Sequence, residues 1–321
     1  MRARLGLVVA AFAIAFPLGA RAAAEVDRYL GIAALAEGAG RASLDAPAVG
    51  ARLDVRSLGP RDRLLDISES LNGTPLRAYA VEMTKTMHLI AISGDFSTFA
   101  HLHPTLDANG HFSVVFHAPK SGRYHFYADT SPATLGQRVF RFDVPVTFGD
   151  SDASGHSRAI AHPVRTRLVP TALVARTDGY TVTLVPVSER DHKRRATLSA
   201  SAASLVRVAI FKGGKPANDL HPYLGSVAHA VFVNGSSLAY VHVHPVAGDL
   251  LTSPAHHPPA PSTAGMAGMS GMTKMNASPT ASVSPVMTLA VDALPPGTYK
   301  LWLQFAGGGG LHVAPFVLVA R

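Results

Sequence analysis

The residues best suited to chemistry are histidines that recur in register. Met87–Pro104 reads MHLIAISGDFSTFAHLHP, and a gapless shift of 141 residues lands on Ala228–Pro245, AHAVFVNGSSLAYVHVHP. His88, His101 and His103 fall on His229, His242 and His244, and Pro104 falls on Pro245. Imidazole suits divalent ions such as Cu(II), Zn(II) and Ni(II). A single histidine is usually structural, whereas three that converge in each of two repeats form a candidate ligand set.

The second chemical signal is methionine. Met266, Met269, Met272 and Met275 are spaced three apart in a stretch with no other large apolar residue, after His256 and His257. Methionine ordinarily fills cores, but no core can form there. Thioethers are soft ligands that select Cu(I), so this stretch reads as a Cu(I)-capturing loop. The histidines read as sites for Cu(II) or another divalent ion.

Positioning the histidines requires a β-hairpin. Apolar, β-branched and aromatic runs flank Gly94-Asp95 in the first copy and Gly235-Ser236 in the second. Glycine at the first central position suits a two-residue type II′ turn. That turn sets His88 opposite His101 and His229 opposite His242. Alternation then puts all three histidines of a copy on one face. Pro104 and Pro245 end their strands, because proline cannot continue a central ladder. Glu82, Met83, Met87 and His221 lie close enough in sequence to add a ligand, and Tyr223 stands where a match to Glu82 would be. His111, His117 and His125 have no counterparts and read as solvent-facing.

The rest of the chain fits an exported all-β protein. Residues 1–24 have the form of a signal peptide: Arg2 and Arg4, an apolar stretch from Leu5 to Leu18, and small residues before Glu25. No later apolar run is long enough to span a bilayer, so a periplasmic or secreted location without membrane insertion is expected. The formal charge of +8 includes Arg2, Arg4 and Arg21, leaving +5 (8 − 3) after cleavage. The basic run Arg190–Arg195 has no interleaved aromatics and reads as a solvated loop rather than a nucleic-acid surface. There is no cysteine, so each core must stand without disulfides.

Residues 25–50, rich in Ala and Gly, carry no decisive pattern, and the one regular element they would admit is a short helix near Val26–Ala36. Short β-runs punctuated by Gly, Pro, Asn and Asp then predict two immunoglobulin-like β-sandwiches, at 51–148 and 169–321, joined by a polar linker at 149–168. Ser121-Gly122-Arg123-Tyr124 corresponds to Pro296-Gly297-Thr298-Tyr299 at an offset of 175. A Gly-x-Tyr entering a strand is the signature of a tyrosine corner. The change from 141 to 175 places about 34 additional residues in the second domain, read as a disordered insertion at 251–285 that holds the methionines.

A cysteine-free exported β-sandwich with a histidine-rich hairpin and a Met-x-x-Met loop resembles the CopC-like periplasmic copper-handling proteins. The HLHP and VHVHP stretches, with PYLG at Pro222–Gly225, resemble secreted tandem immunoglobulin-like proteins associated with heavy-metal handling. The resemblance implies a non-enzymatic copper carrier or scavenger, exchanging metal with another exported metal-handling protein. Two other readings apply to the same residues. One is a non-catalytic immunoglobulin-like interaction module. The other is a cupin-type metalloenzyme, in which His101, His103 and His125 would hold the metal. Against the cupin pattern, six residues rather than five separate Gly94 from His101, no Glu follows His103, and Lys300 replaces His125 in the second repeat. No nucleophile–base pair, phosphate loop or carboxylate pair suggests a hydrolase.

Overall fold

The computed structural model describes residues 26–30, 32–33, 49–133, 135–148, 168–188, 197–249 and 282–321. The expected signal peptide, the linker as far as residue 167, the basic run at Arg190–Arg195, His256, His257 and the four spaced methionines lie outside the described residues.

The fold is two antiparallel β-sandwiches in tandem. In the first, one sheet has the order Val26–Leu30, Val49–Ser57, Asp62–Leu71, His111–His117, Thr105–Leu106. It packs on a second sheet ordered Ile32–Ala33, Arg138–Val146, Gly122–Thr130, Met87–Ser93, Phe99–Leu102. The second domain repeats the plan. One sheet runs Val174–Thr177, Tyr180–Ser188, Ser204–Lys212, Val286–Val291, Val246–Ala247. The other joins Leu220–His221, Gly297–Gly307, His229–Asn234 and Tyr240–Val243, with Gly310–Ala320 along Gly297–Gly307. Among the described residues no helix is long and apolar enough to cross a membrane.

Residues 26–30 and 32–33 are strands where a short helix is expected: Val26–Leu30 pairs with Val49–Ser57 from the first sheet, and Ile32–Ala33 pairs with Arg138–Val146 from the second. Edge pairing outweighs the helical propensity of the Ala-rich sequence. Both tyrosine corners form. The Tyr124 hydroxyl donates to the Lys120 carbonyl and the Tyr299 hydroxyl to the Pro295 carbonyl, each at 2.9 Å. The 141-residue repeat also fixes a turn: Asn72-Gly73 and Gly213-Gly214 all have positive φ, as a type I′ hairpin requires.

Three apolar clusters organise the packing. Leu53, Ile67, Leu89, Phe112 and Phe126 belong to the core of the first sandwich. Val206, Ile210, Phe232, Leu301 and Phe316 belong to the core of the second. The third lies between the domains and draws on both: Ile90, Ile92, Phe96 and Tyr127 from one, Val231, Val233, Tyr240 and Trp302 from the other. Met87–Ser93 is therefore covered on both faces, its odd residues in the sandwich core and its even residues against the other domain. Trp302 stacks on Phe99 and Phe96, with ring centroids 5.3 and 6.3 Å apart, and Tyr127 stacks on Tyr240 at 4.7 Å. Each large ring buried in this way contributes about 1.5–3 kcal/mol, which makes the domain contact a packed interface and not a tether.

Candidate metal centre

The hairpin register differs from expectation by two residues. Ile90 pairs with His101 and Leu89 with Leu102; Val231 pairs with His242 and Ala230 with Val243. The loops are wider because side-chain oxygens satisfy their amides. Asp95 accepts from the Ser93 hydroxyl and the Ser97 amide, and Asn234 accepts from the Ser236 and Ser237 amides. The left-handed residues are Phe96 and Leu238, not Gly94 and Gly235. A slip of two keeps every side chain on its face, where a slip of one would not, so the histidines still converge.

Sequence spacing suggests two separate clusters, but the structure joins them into one. The histidine faces of the two hairpins look at each other across the domain interface, at one end of its apolar cluster. Ring centroids of His88 and His101 lie 5.1–6.0 Å from those of His229 and His242. His103 flanks its own hairpin, 4.6 Å from His101, and His244 flanks the other, 4.5 Å from His242. His88, His101 and His229 are buried, and the His242 imidazole is 2% exposed. One ring nitrogen from each of His88, His101 and His103 lies within 4.8 Å of the others. The same holds for His101, His229 and His242, a set that spans both domains.

The outward-facing nitrogens define the tautomers. His88 Nε2 is 3.1 Å from the Glu82 carbonyl oxygen, and His229 Nε2 is 3.1 Å from that of Tyr223. A carbonyl only accepts, so both Nε2 atoms carry hydrogen and the Nδ1 lone pairs face inward. This explains why Tyr223 can stand where Glu82 does: the backbone supplies the acceptor. His101 Nδ1 meets Gln304 Oε1 at 2.8 Å, and His242 Nδ1 lies 3.5 Å from Asp129 Oδ2. Those rings are oriented through Nδ1 and present Nε2. Each domain thus braces a histidine of the other. Asp129 and Gln304 stand opposite His88 and His229 in the ladder and are themselves related by the 175-residue offset.

The inward nitrogens are then close to one another without a hydrogen between them. His88 Nδ1 and His101 Nε2 are 2.9 Å apart, and His229 Nδ1 and His242 Nε2 are 3.3 Å apart. Metal–nitrogen bonds of about 2.0–2.1 Å imply nitrogen–nitrogen edges of about 2.9 Å at right angles and about 3.3 Å at the tetrahedral angle. Nε2 of His103 and of His244 are buried and have no hydrogen-bond partner among the described residues. An added proton that would make one ring of such a pair an imidazolium is disfavoured by the site. Burial first, and neighbouring imidazoles second, hold His101 and His229 well below the ordinary histidine range. His103, His242 and His244 are lowered to about 3, again with burial the leading cause. Burial raises Asp129 to about 6, against the pull of its Gln137 hydrogen bond. Those five rings are therefore neutral at neutral pH, the state in which imidazole binds metal. The donor set could hold a metal ion.

Other expected residues take different places. The Met87 side chain is buried in the first core, facing away from the centre. The Glu82 carboxylate hydrogen-bonds Ser131, and His221 Nδ1 lies 3.4 Å from the Pro222 carbonyl. Met83 has a positive φ, as does Leu224 at the matching position, and the Met83 backbone approaches Gly225 where the two turns meet. His111 and His117 are held by Asp66 and Asp62 at 2.6 and 2.7 Å. His125 does not face solvent: it is buried beside Ile92 and bound to Asp143 at 2.6 Å, so it does not join His101 and His103 as the cupin pattern would require.

Spacing did not disclose Asp129, Gln304, the two carbonyls or the meeting of the clusters. Two signals were available. MHLIAIS and HAVFVN are apolar on both faces, which calls for a layer on each side. The 175-residue offset also pairs two polar residues inside otherwise apolar strands.

No curated protein matches the chain. The sequence profile of a family described as a domain of unknown function, DUF8832, matches residues 57–147 and 175–321, the bulk of both sandwiches including all six histidines. The chain belongs to that family.

Proposed function

We propose that this protein is an exported metal-binding protein, a copper carrier or scavenger, built around the six-histidine centre between its domains. One observation carries the reading. Buried imidazole nitrogens face each other at 2.9 and 3.3 Å while their other ring nitrogens are engaged with carbonyl, amide and carboxylate oxygens. Facing lone pairs in a low-dielectric site are unfavourable unless a cation lies between them. Fixing the outer nitrogen of a ligating histidine is how proteins set its tautomer and orientation.

The all-imidazole set favours Cu(II) or a similar borderline divalent ion. The residues themselves do three things: they present neutral nitrogens, hold their spacing through two packed domains, and exclude water. Met266, Met269, Met272 and Met275 would take Cu(I) through thioethers. In the sequence Met266 follows His244 by 22 residues, so capture and storage sites would lie close along the chain. Another exported metal-handling protein would deliver or receive the ion.

The test is copper analysis after incubation with Cu(I) or Cu(II) and exhaustive dialysis. Three proteins are compared: the parent, a variant with the four methionines changed to Leu, and a His101→Ala/His242→Ala variant. The parent should retain copper, the methionine variant should lose the Cu(I) portion, and the histidine variant should lose the Cu(II) portion. A parent that retains no copper in either state would refute the reading.

A further inference from the structure

The centre has six imidazoles, more than one tetrahedral ion uses. Two arrangements of metal satisfy parts of it. A single ion could sit among the four inner rings, His88, His101, His229 and His242, whose centroids are 5.1–6.0 Å apart. Alternatively each hairpin could hold its own ion. Centroid distances within His88, His101 and His103 are 4.6–5.2 Å, and within His229, His242 and His244 they are 4.5–5.5 Å. Rings bound tetrahedrally to one ion have centroids about 5.1 Å apart, given metal–nitrogen bonds of about 2.05 Å. Departures from that spacing average about 0.3 Å in both arrangements, and one of the converging nitrogen sets, His101, His229 and His242, spans both domains, so ring spacing alone does not choose between them.

The orphaned nitrogens decide between them. A single central ion leaves Nε2 of His103 and of His244 buried without a partner among the described residues. Buried polar atoms are almost always satisfied, and leaving one unmet is costly. One ion per triad gives all six inward nitrogens a bond.

We propose that the centre is dinuclear: His88, His101 and His103 hold one ion and His229, His242 and His244 the other, each ion keeping one coordination position open towards its neighbour. This rests on the metal-binding reading. Three protein ligands plus one open position is the pattern of sites that bind a further small ligand. Two close dications repel, and Asp129 is the carboxylate set against these rings. A small anionic oxygen ligand, such as hydroxide, bridging the open positions would offset the remaining repulsion. The pseudo-twofold relation between the hairpins places those positions face to face.

The experiment is Co(II) titration of the full-length chain, with His256 and His257 changed to Ala so that imidazoles of the insertion do not contribute. Cobalt is chosen because thioethers hold it poorly. Bound metal is counted after gel filtration, in the parent and in His103→Ala and His244→Ala, with circular dichroism to check folding. Two Co(II) per chain in the parent and one in each variant is the expected result. In parallel, a Cu(II)-loaded parent should show an electron paramagnetic resonance signal well below that of its copper content, because adjacent ions couple. One Co(II) per chain, unchanged in both variants, with a full-intensity Cu(II) signal, would overturn the dinuclear assignment and leave the metal-binding reading intact. No bound cobalt or copper in the parent would overturn both. Should either variant fail to fold, the parent's count and the copper signal still decide.

Discussion

Acidifying the metal-free protein should destabilise it, and the structure allows the size to be worked out. A histidine whose folded pKa is depressed contributes nothing to the loss above its unfolded value, near 6.5. As pH falls below that value the unfolded chain takes up the proton first, and stability drops until the folded pKa is reached. Between pH 7.5 and pH 5 each such ring costs about 2 kcal/mol. His101, His229 and His242 are the most deeply buried, so together they remove about 6 kcal/mol. Two carboxyls oppose them. Glu69, buried in the first sandwich and hydrogen-bonded to Thr130, is raised to about 7, chiefly by burial, and Asp129 is raised to about 6. Their contribution is complete below the unfolded carboxyl values and is lost as pH rises through 6 and 7. On going to pH 5 they restore about 4 kcal/mol between them. The histidines win by at least about 2 kcal/mol, since the less deeply buried His103 and His244 are lowered as well and add to the loss, out of a total that for most domains is about 5–15 kcal/mol. Glu69→Gln keeps the Thr130 contact and removes the larger opposing contribution. That variant should be about 3 kcal/mol more stable than the parent at pH 7.5 and should fall about 2–3 kcal/mol further than the parent by pH 5. Urea unfolding in the presence of chelator, at pH 7.5, 6 and 5, measures both. A parent whose stability rises steadily towards pH 5, or a Glu69→Gln variant with a flatter pH profile than the parent, would refute the assignment of neutral buried imidazoles.

Three more outcomes follow from the geometry. Trp302→Ala removes the ring that stacks on Phe96 and Phe99 and should cost about 3–5 kcal/mol; scattering that shows separated domains, with metal affinity reduced although no ligand is changed, would tie the centre to the interface. Asp129→Asn and Gln304→Leu leave all six ligands in place but loosen His242 and His101, and each should weaken metal binding about 10–100-fold in a competition titration; unchanged affinity would mean that these two side chains do not position the rings. Lowering the pH of the loaded protein towards 5 should release the histidine-bound metal, because protons compete for imidazole, and spare Cu(I) on the methionines; equal release from both would argue against two classes of site.

Much of the architecture was legible because it depends on local chemistry. Gly122-Arg123-Tyr124 and Gly297-Thr298-Tyr299 mark tyrosine corners without any long-range knowledge, and both hydroxyls make the bond that defines the motif. The convergence of His88, His101 and His103 was legible because strand periodicity fixes faces, and it survived a register error because that error was even. The error itself arose from Asp95 and Asn234. Their side chains satisfy a wider loop that a glycine-based turn rule does not anticipate.

The union of the two triads lies on a different level. Periodicity places side chains within a sheet but is silent on what faces the sheet. Docking depends on the shape of a surface made by Ile90, Ile92 and Tyr127, residues far apart in sequence from Val231, Tyr240 and Trp302. The duplication nevertheless constrains it. When two like domains pack through matching faces about an approximate twofold, a residue near the axis meets its own counterpart, so histidines repeated there are brought together. Asp129 and Gln304 are where that symmetry breaks: one brace is a carboxylate and the other an amide. A carboxylate raises the basicity of the histidine it orients more than an amide does. The two hairpins, alike in ligands, should therefore bind with unequal strength, the one containing His242 the tighter, and a stepwise metal titration of the parent should become more nearly single-step in Asp129→Asn. Two steps that persist unchanged in Asp129→Asn would place the asymmetry elsewhere.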